Sequence, residues 1–512
     1  IFIVTYCLVF ALMRDKKYQQ STVAVLLLCC VVGELACANT DRYNMDQPKS
    51  NFTGDYSDFR TLKDELDEYN GDDMYRMELT YNRARMDPAW YGYNGISTFT
   101  SMAYEKMSNT QSDLGLDSNY INSYTYYLQT PVYNMMHALK YVVDNSNDVT
   151  VEGDYFNELM TQGKFTAYEN KYHLPIGFGV NSDITNWYSD LTNPFIVQGN
   201  WFEYATGVSD VFGMMTIDEV QYYNMDELTS GLETGDIYYT KTAEGEGELT
   251  FILRTDTERH CYLYVNSRDF DSLKIEKDDT EYTQYVDEPY VYDLGIVGTD
   301  EEVKVRITIE DVEYGYIDFY PYYVNDEALN KGYEILRNRQ LNVTSFEETK
   351  IQGNVSLDED CAFFTSIPYD SGWTVKVDGK KVEKEDFIYF SKDDDNNPEY
   401  TYLCFNIPAG EHTVEFSFMP DGLILGIAVS VATVIALIIA AIIFSIIRKK
   451  RANIPDFVPE IPVAEEEIKA IDLELDSFSA ENTNEEKPEV QEPNTAAETA
   501  ETSEESAEET FT

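Results

Sequence analysis

Three apolar runs stand out along the chain: IFIVTYCLVFALM (1–13), STVAVLLLCCVVGELACA (21–38) and LILGIAVSVATVIALIIAAIIFSII (423–447). A helix needs roughly twenty apolar residues to cross a bilayer. The pattern therefore predicts transmembrane helices over 21–38, interrupted only by Glu34, and over 422–447. The first run is too short to span alone and lacks the basic leader of a signal peptide. It reads as a truncated transmembrane helix, 1–13, whose first half precedes this sequence. Basic clusters RDKK (14–17) and RKKR (448–451) follow the first and third runs. The positive-inside rule makes both cytoplasmic, giving a cytoplasmic loop over 14–20, an extracellular region over 39–421 and a cytoplasmic 448–512. The two clusters agree through the two spans between them, so the expectation is a multi-pass protein of the cell membrane.

Between the spans the hydrophobic period changes. FRTLKDELDEYNGDD carries Leu62, Leu66 and Tyr69 at helical spacing and stops at Asn-Gly, whereas MYRMELTY alternates as a strand does. VYNMMHALKYVVDN reads as a short helix running into a strand, and 39–228 as an extracellular α+β domain. From 229 short β-rich runs follow at regular spacing: GDIYYTKT, GELTFILRT, CYLYVNS, YVYDLGIV and EVKVRITI. That texture predicts an antiparallel β-sandwich over 229–322. NDEALNKGYEILRNRQ then forms a helical linker, 323–342. A second β set over 343–421 contains TSFEETKIQGNVSL, CAFFTSIPY, WTVKVDGKKV, FIYFS, TYLCFNIPAG and EHTVEFSFMP. Asp378-Gly379 supplies the positive φ angles of a two-residue hairpin turn. The last strand runs almost directly into the final span, so this second sandwich is expected to be membrane-proximal. The fold class is thus a membrane protein whose ectodomain is mixed α+β followed by all-β.

Charge sharpens the picture. With a formal net charge of −56, the chain lacks the basic footprint that nucleic acid requires. Part of the excess is local: residues 452–512 hold 19 Asp and Glu against two Lys, and so few apolar groups that ordering them has no compensation. This tail reads as a disordered, solvated spacer. Of the seven cysteines, Cys261, Cys361 and Cys404 lie outside the apolar runs and show no CxxC spacing, so neither a disulfide framework nor a zinc site is expected. One bridge among these three or free buried thiols both fit.

Few residues carry candidate chemistry. Glu34 is an ionisable group in or near a span, where insertion costs roughly 3 kcal/mol at the bilayer centre. It would face a polar site or another helix, or else reach the headgroups. Arg76 and Glu78 share a face of MYRMEL; Arg76 would clamp a phosphate through its planar fork, and the competing reading is an ion pair between the two. Among 41 Tyr and four Trp, Trp90 and Trp201 are candidate sugar-stacking platforms, although such rings also suit sheets and membrane interfaces. Trp373, in YDSGWTVKVDGKKV, reads as core. SKDDDNNPEY (391–400) offers clustered carboxylates without EF-hand spacing and reads as a solvated loop. The four His are scattered, so no metal is expected, and no nucleotide-binding fingerprint is present.

Several longer stretches carry a resemblance: MYRMELTYNRARMDPAWYGYNGISTFTS (74–101), LKYVVD (139–144), NKYHLPIGFGV (170–180), NPFIVQGNW (193–201), IPYDSGWTVKVDGKKV (367–382) and IPAGEHTVEFSFMPDGLILG (407–426). In this order, with a helix at each end, they resemble the YfhO family of bacterial multi-span membrane proteins. The resemblance implies a glycosyltransferase of the C-superfamily type that takes sugar from a polyprenyl-phosphate donor and glycosylates a cell-envelope polymer such as lipoteichoic acid. It implies no cofactor, and as partners membrane lipid, a lipid-linked sugar and the polymer acceptor. It also implies that the catalytic acidic residue belongs to an early loop this sequence does not contain, so no residue here inherits that role. The alternative is a membrane-anchored glycan-binding or scaffold protein without catalysis. In a bacterial protein the sequons at Asn51, Asn342 and Asn354 are chance matches.

Overall fold

The computed structural model describes residues 2–452 apart from 15–18, 44–48, 72, 103, 146–150, 152, 190, 279, 287–288 and 393–395. The acidic tail, most of RDKK and the aspartates of SKDDDNNPEY lie outside the described residues.

Helices Gln20–Tyr43 and Leu423–Ala452 each contain a stretch long and apolar enough to cross a membrane. The shorter apolar helix Phe2–Arg14 packs on the first of them. Leu423–Ala452 belongs to a separate compact unit beginning at residue 424.

Helix Tyr56–Asn70 ends at Gly71, whose φ of +64° stops the helix where Asn-Gly predicted. Its buried stripe is Phe59, Leu62 and Leu66, with Tyr69 exposed instead. That stripe covers a four-stranded sheet ordered Arg76–Leu79, Leu139–Asp144, Phe165–Asn170, Phe156–Gln162, in which the first two strands run parallel.

Two five-stranded sheets share one core built from Leu249, Phe251, Leu263, Ile307, Ile317 and Phe319. One runs Thr216–Tyr223, Gly247–Arg254, Val303–Ile309, Ser272–Lys277, Thr280–Tyr285; the other runs Asp236–Thr240, Tyr314–Val324, Arg259–Asn266, Tyr292–Val297, with Phe212–Met214 added to Tyr314–Val324. The boundaries at 228 and 322 therefore move: Phe212–Met214 and Thr216–Tyr223 precede the first, and Tyr314–Val324 crosses the second.

The last β region also draws on the first. Its five-stranded sheet is ordered Asn342–Glu347, Lys350–Leu357, Gly410–Phe418, Trp373–Val377, Lys380–Lys381. Facing it across Val355, Phe363, Phe405, Val414 and Phe416 is a three-stranded sheet, Tyr402–Ile407, Cys361–Pro368, Gly177–Val180. Gly177–Val180 comes from NKYHLPIGFGV, so 39–228 and 343–421 are not separable bodies. Gly177 and Gly179 permit that approach, because a Cβ on either would strike Phe363 or the Leu357 and Cys361 side chains within 3.0 Å. FIYFS is largely irregular: Phe387 makes an isolated bridge to Phe405, and only its last residue, Ser391, enters a two-residue strand, Ser391–Lys392, paired with Pro398–Glu399. At the hairpin tip, Asp378 and Gly379 take φ of +52° and +75°, the left-handed pair the turn demands. All seven cysteines are free thiols, with Cys261, Cys361 and Cys404 buried.

Candidate functional site

Segments far apart in the chain meet at a cleft of about 430 Å³. Its floor begins at Arg76, the first residue of the parallel strand, where the pairing with Leu139–Asp144 shifts register between Arg76 and Met77. Nearby, Ala138 bends the chain with a φ of +56°, a conformation that costs a non-glycine residue roughly 1 kcal/mol. Arg76 Nη1 donates to the His137 carbonyl beside this bend and to Ser366 Oγ at 3.0 Å, so the guanidinium ties the strand to YDSGW's preceding strand.

Above Arg76 lies a neutral polar network. His137 is buried, and burial pulls its imidazole pKa down to about 3. Nδ1 sits 3.1 Å from the Tyr133 carbonyl and therefore carries the proton, which leaves Nε2 to accept from Tyr402 Oη at 2.9 Å and Gln111 Nε2 at 3.0 Å. Gln111 Oε1 in turn accepts from Tyr133 Oη at 2.6 Å. With both ring nitrogens engaged and its affinity for a proton depressed, His137 orients its neighbours rather than acting as a base near neutral pH.

The rim is aromatic. Trp373 and Phe418 are register partners on adjacent strands, their rings 5.1 Å apart, and Tyr104 and Tyr369 join them at the opening. Asp370 is fixed there by two donors, the Tyr104 hydroxyl and the Gly372 amide at 2.6 Å. YDSGW is thus a turn that presents a carboxylate and a ring side by side. Trp373, expected in the core, is half-buried with one side on the cleft.

Of the predicted site residues, only Arg76 lines this cleft. The expected Arg76–Glu78 ion pair is absent among the described residues: Glu78 Oε1 accepts from the Ile96 and Ser97 amides instead. Those N–H groups lower the Glu78 pKa, yet burial outweighs them and pushes it up to about 7. Trp201 is wholly buried, edge-on to Phe178 and Phe364, and offers no face to a sugar. Trp90 is 44% exposed but packs edge-on to Tyr56, outside the cleft. Glu34 accepts a hydrogen bond from Tyr6 Oη at 2.7 Å, so it links the two N-terminal helices. Gln111, Tyr124, His137, Ser366 and Tyr402 escaped the sequence reading, because nothing in their spacing joins positions up to 291 residues apart. No cluster of metal-ligating side chains occurs among the described residues.

These features, two membrane-length helices and a folded region with an aromatic-rimmed cleft, agree with a family match. The family described as bacterial membrane protein YfhO matches residues 1–430. The chain is a bacterial membrane protein and belongs to the YfhO family. It is 20% identical over 373 residues to the uncharacterized protein YfhO of Bacillus subtilis (strain 168), covering 66% of this chain and 41% of that one. The chain thus spans under half the length of that curated relative. Among solved structures, the GH26-CBM35 β-(1,4)-mannanase of Podospora anserina is 14% identical, with a TM-score of 0.16 over 23% of this chain and 28% of that one. A family 35 carbohydrate binding module from Clostridium thermocellum is 9% identical, with a TM-score of 0.16 over 22% of this chain and 98% of that one. At such TM-scores these are partial overlaps that define neither fold nor ligand.

Proposed function

We propose that the chain is the acceptor-holding part of a membrane glycosyltransferase that moves sugar from a polyprenyl-phosphate donor to a cell-envelope polymer such as lipoteichoic acid. In this reading residues 39–421 form an ectodomain of α+β and β-sandwich parts outside the cell, with the acidic tail in the cytoplasm. The observation that carries it is the cleft: ring faces at the rim above a polar floor are the chemistry that holds a sugar-bearing chain. In this reading Glu34, tied to Tyr6 within the apolar helix Gln20–Tyr43, would face the path of the lipid-linked donor. Trp90, exposed but outside the cleft, is a secondary contact at most.

A second reading, a membrane-anchored glycan-binding scaffold, is favoured by the neutral, fully engaged His137 network, which holds without reacting. Comparing the sugar content of envelope polymers with and without the gene separates the two. Loss of the sugar is the expected result. Unchanged content, with glycan binding to the isolated protein retained, would favour the scaffold.

A further inference from the structure

A second cavity, of about 340 Å³, is lined by Thr80, Tyr127 and Leu128 from one region and, from the paired five-stranded sheets, by the hairpin Ser272–Lys277/Thr280–Tyr285 and the strand Tyr292–Val297. It shares no lining residue with the cleft. Its size falls at the lower end of the roughly 300–1,000 Å³ that small-molecule sites occupy.

Tyrosines dominate the wall. Tyr127 stacks on Tyr290 at 4.2 Å, Tyr292 follows at 6.5 Å with its ring tilted, and Tyr282, 41% exposed, lines the same cavity. The hydroxyls of Tyr282, Tyr290 and Tyr292 make no hydrogen bond among the described residues. Burial foremost raises the pKa of Tyr290 and lifts that of Tyr292 to about 12, so both remain donors at neutral pH. Three such phenols offer ring surface and hydrogen bonds together.

Charged groups define what can enter. Lys277 Nζ donates to the Leu294 and Ile296 carbonyls at 2.7 and 2.6 Å, which fixes the ammonium on the strand Tyr292–Val297 and leaves its third N–H uncommitted among the described residues. Asp293 Oδ1 accepts from the Gly295 amide and faces His260 Nε2, each at 2.7 Å, while Oδ2 accepts nothing among the described residues. Asp278, exposed at the hairpin tip, is a second carboxylate in the lining. Behind the wall, Asp117 acts on Tyr290 but is held by Arg85 at 2.9 Å, and His260 lies between Asp293 and Asp154. Asp293 and Asp278 disfavour an anion, and Lys277 disfavours a cation. A neutral molecule that both donates and accepts at its edge, and carries C–H surface to lay on a ring, satisfies every part of this lining; a sugar ring is such a molecule.

We infer that this cavity is a binding site for one neutral pyranose, its C–H face on the Tyr290–Tyr292 wall and its hydroxyls bonded to Asp293, Lys277 and Tyr292. The inference goes beyond the acceptor-holding reading, since it needs neither the cleft nor a transfer step. A sugar-bearing chain that reached both places would be held at two points, each contact raising the effective concentration for the other.

The test uses the full chain in detergent, with saturation-transfer NMR to detect contact and calorimetric titration to rank affinity. Methyl glucoside and N-acetylglucosamine serve as neutral sugars, glucuronate as the anion, glucosamine as the cation and glycerol as a polyol without a ring. At least one neutral sugar is expected to bind, with glucuronate, glucosamine and glycerol at least tenfold weaker. This binding should persist in Trp373→Ala, which alters only the cleft. It should weaken about three- to tenfold in Tyr282→Ala, whose ring is partly exposed, and about two- to tenfold in Tyr292→Phe, which loses only an unpartnered hydroxyl. The Phe variant keeps the ring in place, so a folded comparison is available if Tyr282→Ala is unstable. Loss of all sugar binding in Trp373→Ala assigns that binding to the cleft and overturns the inference. So does unchanged binding in both tyrosine variants, preference for glucuronate or glucosamine, or no binding of either neutral sugar. If the sugar binds here but gene loss leaves envelope sugar unchanged, the site stands and the transferase reading falls; the converse result removes the site alone.

Discussion

His260 Nε2 lies 2.7 Å from Asp293 Oδ1, while Asp154 reaches within 3.8 Å of the other ring nitrogen. Tyr155 and Tyr262 flank the imidazole at 4.8 and 5.0 Å. The histidine thereby joins the segment before Phe156–Gln162 to two strands of the neighbouring β region. Burial alone would lower its pKa, but the two carboxylates win and raise it to about 9. A raised pKa means the folded state holds a proton the unfolded chain releases. The stabilisation, of order 3 kcal/mol, is complete below about pH 6.5 and disappears as pH rises towards 9. Thermal midpoints measured from pH 6 to 10 should fall across that window, and His260→Gln should flatten the profile. A wild-type midpoint constant over this range would remove the imidazolium from the account.

Trp201→Ala should cost roughly 3–5 kcal/mol of stability, the range for deleting a large buried ring. Trp90→Ala should cost less, about 0.5–1.5 kcal/mol, the value of its edge-on ring contact with Tyr56. Denaturant titration of the two variants tests whether these rings are core and surface as described.

Trp373→Ala should reduce envelope sugar about three- to tenfold, the value of one aromatic contact converted to a binding ratio. Trp90→Ala should leave it unchanged. Matched protein levels on immunoblots keep folding out of the comparison; equal sugar in both strains would remove the rim from the function.

Gly379→Ala isolates the hairpin turn. A Cβ there meets nothing within 4 Å, so the only penalty is the positive φ of +75°, about 1 kcal/mol. Chemical denaturation of the variant should show that loss and no change in the slope of the transition.

Glu34→Gln keeps a partner for the Tyr6 hydroxyl but removes the charge. Membrane insertion should be unchanged and envelope sugar should fall severalfold. Wild-type sugar in that strain would leave Glu34 a purely structural link between two helices.

The elements legible in the sequence were those with local causes. Helix Tyr56–Asn70 announced itself by period and by its Asn-Gly stop, and the hairpin at Asp378-Gly379 by its turn chemistry. Apolar length alone marked Gln20–Ala38 and Leu423–Lys450. Non-local facts were not visible in the same way. FIYFS has the composition of a strand, but Phe387 makes only one bridge, to Phe405, so no ladder forms around it. Trp201 and Trp373 look alike as residue types, and only the tertiary environment buries the first and leaves the second on a rim. Arg76 was identifiable as a cation on a strand, whereas its true partners, His137 and Ser366, are 61 and 290 residues away.

The strand Gly177–Val180 supplies the outer member of a sheet whose other strands begin at Cys361. Excising 343–421 for expression would strip Cys361–Pro368 of a neighbour and turn its backbone amides and carbonyls into an open edge, an invitation to self-pairing. The C-terminal β region is therefore not a portable module. During biogenesis Gly177–Val180 must wait through the synthesis of some 160 further residues for its backbone partners at Arg339 and Leu341, and some 180 before Cys361–Pro368 can close the sheet.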